Sequence, residues 1–166
     1  MIFFKTKITQ EQLALGVFNF VKNADLEKIA QSIFSKEISS NHLKRFIRAE
    51  LYIIILTTIK YYKDKNAVVH YLLYLIYEEF YLNEYSSYAE FQIFFNSDFK
   101  EFQEMMEKGK RIGQGTLYGI SYWVLNEPTG EVDPITQVKI TEYLLICLEE
   151  INKMHEKFSK RIKLID

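Results

Sequence analysis

Apolar residues recur at helical spacing through most of this 166-residue chain. The C-terminal part shows the pattern best, because Asp133 and Pro134 supply a helix cap followed by proline at the first helical position. Beyond them, apolar residues follow at alternating intervals of four and three residues: Ile140, Leu144, Cys147, Ile151, Met154 and Phe158. This spacing predicts a long final helix with one continuous apolar face.

Two more long helices are predicted near the middle of the chain, over residues 42–62 and 67–83. Neither segment contains Gly or Pro, and only the polar stretch 63–66 separates them. A connection this short predicts that the two helices are antiparallel neighbours. The run Leu51–Leu56 is apolar on every side, so we expect it to be enclosed by several helices or covered by a second copy of the chain in a homo-dimer.

Capping signals mark further helix starts. Thr9 with Gln12 and Ser87 with Glu90 have the spacing of a capping box, in which the hydroxyl accepts a hydrogen bond from a first-turn amide. Single caps are also present at Asn23, Asp25 and Ser39–Asn41. The second capping box opens a helix with apolar side chains on one face: Phe91, Phe95, Phe99, Phe102 and Met106. The polar run 96–98 leaves open whether that helix is continuous.

Residues 109–134 are the least regular part of the sequence. Four glycines fall between positions 109 and 119, and a Pro-Thr-Gly turn signal follows at 128–130. Residues 118–125 fit a helix or a strand. The remaining pattern predicts an all-α fold: a single-domain bundle over residues 1–166, with about six or seven helices around the central antiparallel pair.

The composition adds an aromatic interior to this prediction, because 13 Phe and 12 Tyr residues accompany only 6 Gly and 2 Pro. A net charge of −1 provides no general attraction to nucleic acid or to an anionic membrane. No apolar stretch approaches the ~20 residues of a membrane span. The single cysteine, Cys147, suits a reducing compartment. We therefore expect a cytoplasmic protein, and the abundance of Lys, Ile, Asn and Tyr suits a bacterial or phage genome.

Two glutamates interrupt the apolar stripes of the central helices. On a helical wheel, Glu50 falls within one stripe and Glu79 within the other. Both lie about 22 Å from the connecting turn, so an antiparallel pair brings their carboxylates to the same level. One interpretation is a divalent-metal site or an acid–base pair. The other is that each carboxylate meets its own basic or tyrosine partner or extends to solvent, and the absence of a Glu-x-x-His motif favours it.

Four amphipathic rings lie on the opposite ridge of the second central helix: His70, Tyr74, Tyr77 and Tyr81. Aromatic side chains in a row are typical of protein interfaces. A ridge covered by another helix has the same pattern, and in a chain this rich in tyrosine the covered ridge is favoured.

A glycine-rich segment, residues 109–115, carries Lys110, Arg111 and Gln114. Its backbone amides and basic side chains fit a site for phosphate or another anion. However, the segment lacks the Gly-Lys-Ser/Thr ending of a phosphate loop, and no strand is predicted before it. The glycines are better explained by a loop, or by two helices that pack closely through small residues.

No arrangement for nucleophilic catalysis is evident in the sequence. Cys147 lies on the apolar face of the final helix, where a thiol acts as a small hydrophobic group, and His155 is two helical turns away. Basic residues cluster at 42–48 and 157–163, without the interleaved aromatic residues of a nucleic-acid motif.

The sequence therefore favours a non-catalytic module that acts by protein–protein interaction, such as a regulator, an inhibitor or an immunity-type protein. The alternative is a small-ligand or metal-binding protein, or an enzyme, that uses Glu50 and Glu79 or the 109–115 loop. Nucleic-acid binding ranks third.

Overall fold

The computed structural model describes residues 5–22, 26–34, 39–125 and 133–165. Over these ranges the chain is all-α, as the sequence predicts, with seven α-helices and one short two-stranded sheet. The elements are β1 (Thr6–Thr9), α1 (Gln10–Lys22), α2 (Leu26–Ile33), α3 (Ser40–Tyr61), α4 (Asn66–Ile76), α5 (Tyr88–Arg111), α6 (Thr116–Leu125), α7 (Pro134–Arg161) and β2 (Ile162–Ile165). A single π-helical turn, Tyr77–Tyr81, continues α4. The predicted caps at 23 and 25 and the turn signal at 128–130 lie outside the described residues.

The chain divides into two compact units. Of the described residues, 5–22, 53–93 and 149–165 form the first unit, and 26–34, 39–52, 94–125 and 133–148 form the second. Helices α3, α5 and α7 each contribute residues to both units. The single domain expected over residues 1–166 stays a prediction.

In the first unit, the described residues begin with a strand that is followed by a capped helix. Strand β1 pairs in parallel with β2, with Thr6 opposite Ile162. The capping box at the start of α1 is confirmed, since the Gln12 amide donates to Thr9 Oγ1 at 3.2 Å and the Thr9 amide donates to Gln12 Oε1 at 3.0 Å. Helix α1 then packs against α4. Its buried face consists of Leu13, Ala14, Val17, Phe18 and Val21.

The second unit is organised around an aromatic cluster centred on Tyr52. The Tyr52 ring lies between 5.1 and 6.0 Å from four other ring centroids, those of Phe95, Phe99, Phe102 and Trp123. The Tyr52 hydroxyl donates a hydrogen bond to the Asp98 carboxylate. The predicted aromatic face of α5 is therefore confirmed, and the polar run 96–98 does not interrupt the helix.

The run Leu51–Leu56 is enclosed within the chain. Residues 51–55 are all buried, and residue 56 is half-buried. A second copy of the chain is not needed to cover this run.

The glycines of residues 109–119 allow α5 and α6 to approach closely in the second unit. A Cβ atom at Gly119 would lie 2.1 Å from the Met105 carbonyl oxygen, and one at Gly109 would lie 2.4 Å from the Gly115 carbonyl oxygen. Between the helices, Gly113 and Gly115 adopt positive φ angles of 75° and 86°. Residues 118–125, which the sequence left open, belong to a helix.

The final helix begins where the sequence predicts. The Asp133 carboxylate accepts hydrogen bonds from the Ile135 and Thr136 amides, each at 3.2 Å, and so caps α7. Within the described ranges, none of the helices combines the length and the apolar character that a membrane span requires.

We expect Gly119→Ala to destabilise the protein by about 3 kcal/mol, because the new methyl group must push the backbones of α5 and α6 apart. Urea unfolding monitored by circular dichroism measures the change. Gly16→Ala in α1 is the matched control, since its Cβ meets only the Phe158 ring, at 3.5 Å. The control should stabilise by about 0.5–1 kcal/mol through helix propensity. Equal effects of the two substitutions would contradict the close helix approach.

Candidate functional site

The second unit exposes a row of aliphatic side chains along α7. Ile135 is 67% exposed, Val138 55%, Leu145 47% and Ile146 60%. Because successive helical residues differ by about 100°, these four side chains share one arc of about 100°. We call these four residues the α7 outer face. An apolar row on one side of a helix is typical of a binding surface.

The opposite side of α7 is held in the second unit. Ile140 is fully buried, and the Tyr143 ring packs 5.3 Å from the Phe46 ring. The Thr141 hydroxyl donates to Ser121 Oγ at 3.0 Å. Because these contacts hold the inner side, the outer face is directed to solvent.

Two opposite charges flank or interrupt the α7 outer face. Lys139 and Glu142 are both exposed and lie three residues apart. On the helical wheel, Glu142 falls within the apolar arc and Lys139 falls at its edge. A partner that covers this face must therefore combine apolar groups with charges of both signs.

The sequence patterns did not identify the outer face, because the regular spacing of Ile140 and the residues after it marks only the inner face. The sequence signal that could have identified it is a second group of aliphatic residues, which lies opposite the inner face on the helical wheel of α7. Three of them, Ile135, Val138 and Ile146, are β-branched and therefore unfavourable on an exposed helix.

Glu50 is buried in the second unit and accepts a hydrogen bond from the Tyr143 hydroxyl at 3.1 Å. Burial raises the pKa of Glu50 to about 7, although the Tyr143 hydrogen bond acts in the opposite direction. Burial and the Glu50 charge raise the pKa of the nearby Cys147 thiol to about 12. Cys147 therefore stays protonated at neutral pH and is a poor nucleophile.

Glu79 lies in the first unit and has a different partner. Its carboxylate accepts a hydrogen bond from Lys22 Nζ at 2.8 Å, and its side chain is 38% exposed. Glu50 and Glu79 thus meet a tyrosine and a lysine respectively, which corresponds to the second of the two interpretations of these glutamates. Among the described residues, no group of three or more His, Cys, Asp or Glu side chains is arranged to hold a metal ion.

His155 is a buried titratable group of the first unit. Its ring stacks on Tyr61 at 5.0 Å, and its two nitrogens lie 3.4 Å from the Tyr62 and Thr58 hydroxyls. Burial lowers the pKa of His155 to about 4, so the ring is neutral at physiological pH. The sequence placed His155 two helical turns from Cys147 without indicating these partners.

The ridge predicted from four aromatic residues is divided between surface and core. His70 and Tyr74 are exposed, whereas Tyr77 and Tyr81 are buried. Both buried rings pack on Phe91 of α5, at 5.5 and 5.0 Å. The four residues therefore do not form a continuous exposed surface.

The glycine-rich segment uses its backbone amides to end α5. The Gly113 amide donates to the Lys110 carbonyl, and the Gln114 and Gly115 amides donate to the Gly109 carbonyl. The predicted anion site required these amides to donate to a bound anion, but in the structure they donate to backbone carbonyls. Of its side chains, Lys110 is paired with Glu107 at 2.6 Å, and Arg111 is exposed.

A pocket of about 150 Å³ lies beside the closely packed glycines. Gln114 and Lys108 contribute to its lining, together with Met105, Ile112, Tyr118 and Tyr122, and the Lys108 ammonium lies over the Tyr122 ring at 5.8 Å. The pocket is therefore mainly apolar, and it suits a small uncharged ligand better than an anion.

Two arginines of the predicted basic patch at 42–48 belong to the packing of the second unit. Arg45 lies 5.4 Å from the Trp123 ring and donates to the Trp123 carbonyl at 2.8 Å. Arg48 also lies over Trp123, at 5.7 Å, and Arg48 Nε is 3.5 Å from the Asp98 carboxylate. Contacts of this kind favour a structural role for both arginines.

No protein-family model matches this chain. The curated proteins and the solved structures likewise contain no match. A functional interpretation therefore rests on the physical properties of the site itself.

We expect Glu50→Gln to stabilise the protein at pH 8 by about 3 kcal/mol and to have little effect at pH 4.5. The folded pKa of about 7 exceeds the ordinary value of 4.5, so the folded protein retains a proton that the unfolded chain loses. The contribution of Glu50 to the free energy of unfolding is therefore fully present below pH 4.5, and it is lost as the pH rises to about 7. Glutamine is uncharged throughout this range. Chemical unfolding at several pH values measures the difference.

His155 contributes a pH dependence of opposite sign, because stability is lost as the pH falls from 6.5 to about 4. Variant and wild type are therefore compared at each pH, which cancels the His155 contribution. Glu79→Gln is the control, since it makes the same chemical change at a partly exposed site. A stability difference for Glu50→Gln that does not vary with pH would exclude an ionising buried carboxylate.

Proposed function

We propose that this protein is a non-catalytic module that acts by protein–protein interaction through the α7 outer face. The observation that carries the proposal is the exposure of four aliphatic side chains on one arc of a capped helix. Burying such a face removes apolar area from water, which is the main favourable term in protein association. A regulator, an inhibitor or an immunity-type protein in the cytoplasm of a bacterium, or encoded by a phage, has this mode of action.

The buried titratable groups support a binding role rather than a catalytic one. Glu50 is 5% exposed and His155 is fully buried, so neither side chain is at a surface where a substrate would meet it. Their altered pKa values follow mainly from burial. Perturbed pKa values of this origin also occur in ordinary protein interiors.

We expect the double substitution Val138→Lys/Leu145→Lys to weaken partner binding by roughly 30-fold or more, because two charged side chains replace the apolar contacts on one side of the face. An affinity pull-down from the native cell identifies the partner, and calorimetry with the purified partner measures the affinity. Both side chains are exposed in the free protein, so thermal stability should be nearly unchanged.

Leu82→Lys/Ile93→Lys is the matched control for this experiment. These residues are 56% and 74% exposed and belong to the first unit, outside the α7 outer face. The control carries the same added charge and should bind like the wild type. If the α7 variant binds its partner with full affinity, the α7 outer face is not the binding site.

A second candidate function is the binding of a small apolar ligand in the pocket beside Gly109 and Gly119. Its volume of about 150 Å³ and its ring-rich lining favour a compact, uncharged molecule. A divalent metal held by Glu50 or Glu79 has less support, since each carboxylate already has a partner of its own.

We expect apolar ligands of this size to raise the unfolding temperature of the wild type but not of Ile112→Trp. Ile112 lines the pocket and is 58% exposed, so a larger side chain there fills the pocket without entering the core. A thermal-shift series over small aromatic and aliphatic compounds provides the measurement. Equal shifts for the wild type and Ile112→Trp would mean that these ligands bind outside this pocket.

A further inference from the structure

The positions on the α7 outer face are symmetric about residue 141. Ile135 and Ile146 lie at nearly equal distances before and after this residue, and so do Val138 and Leu145. The mismatch in each pair is one residue, about 1.5 Å along the helix axis. Ile135 and Ile146 also share one side of the apolar arc, while Val138 and Leu145 share the other.

The two charges follow the same symmetry with opposite signs. Lys139 precedes residue 141 by two positions, and Glu142 follows it by one. A two-fold axis at residue 141 therefore places Lys139 of each copy beside Glu142 of the other. It also places Ile135 beside Ile146, and Val138 beside Leu145, of the other copy. Self-complementarity of this kind is what an isologous interface requires.

Other arrangements lack this match. In a parallel pairing of two α7 helices, Lys139 would meet Lys139 and Glu142 would meet Glu142 at the same level, and like charges in contact are unfavourable. A partner of one charge sign would leave either Lys139 or Glu142 opposed by a like charge. Charge complementarity therefore favours a second copy in the antiparallel orientation over a parallel pair and over a partner of one charge sign.

We infer that the partner of the α7 outer face is a second copy of this chain, paired antiparallel about residue 141 with Lys139 of each copy against Glu142 of the other. This inference rests on the proposed binding role of the face and names its partner. The face spans about 16 Å of helix between Ile135 and Ile146, so the interface is small and the dimer is weak.

The test is a charge-reversal experiment on the full chain. Sedimentation equilibrium, extended to about 1 mM because small interfaces bind weakly, measures the dimer dissociation constant. Lys139→Glu and Glu142→Lys should each raise that constant by about tenfold, since each substitution places like charges in both symmetric pairs. Lys157→Glu and Glu104→Lys are exposed controls with the same charge changes and should leave it unchanged.

Mixing the two single variants provides the decisive measurement. In a Lys139→Glu chain paired with a Glu142→Lys chain, both charge pairs are again attractive, so the mixture should form a heterodimer more strongly than either variant forms a homodimer. The double variant Lys139→Glu/Glu142→Lys should likewise regain wild-type affinity. Native mass spectrometry distinguishes the species by mass.

Each contrary result has a separate meaning. A dimer that survives Val138→Lys/Leu145→Lys forms through another surface, which overturns this inference. A dimer weakened by that substitution but unaffected by the charge variants overturns the antiparallel register. A wild type that is monomeric at about 1 mM, yet loses a different captured protein on Val138→Lys/Leu145→Lys, overturns the second copy and preserves the proposed function. If the wild type is monomeric and no captured protein depends on the α7 outer face, both this inference and the proposed function are overturned.

Discussion

The aromatic packing around Tyr52 is the interaction on which the arrangement of the second unit depends. Its ring contacts side chains of both α5 and α6, and its hydroxyl reaches Asp98, which also lies beside Arg48. Arg48 in turn covers the Trp123 ring. A buried tyrosine needs a polar partner for its hydroxyl, and this arrangement supplies one without an unpaired charge.

Phe46 then connects α3 to the inner side of α7 through Tyr143, which leaves the outer face of α7 exposed.

Much of the fold could be predicted from local chemistry. The capping box at Thr9 and the cap at Asp133 begin helices as expected, and the aromatic spacing of α5 lies on one buried side. The sequence did not predict the short parallel pairing of β1 with β2. Four-residue strands carry little periodic signal, and the register depends on two segments at opposite ends of the chain.

One local feature explains why the wheel failed near the end of α4. The π-helical turn Tyr77–Tyr81 inserts an extra residue per turn, so every later position is rotated from its α-helical place. At this turn the buried side chains are Ile76, Tyr77 and Tyr81, whereas Glu79 within the turn and Leu82 directly after it are exposed. Glu50 precedes any such turn, and its predicted place in the buried stripe is correct. Its partner, Tyr143, lies 93 residues away, a contact that no periodic pattern contains.

The α7 outer face has no explanation in the stability of the described fold. β-branched residues such as Ile135, Val138 and Ile146 lower helix propensity, and exposed apolar side chains gain little from folding when they stay in water. The inner face, with Ile140 and Leu144 fully buried, already anchors the helix. Lysine or glutamate at the outer positions would serve the isolated chain better. Four aliphatic residues at these positions therefore indicate a state in which this face is covered, and their symmetry about residue 141 indicates what covers it.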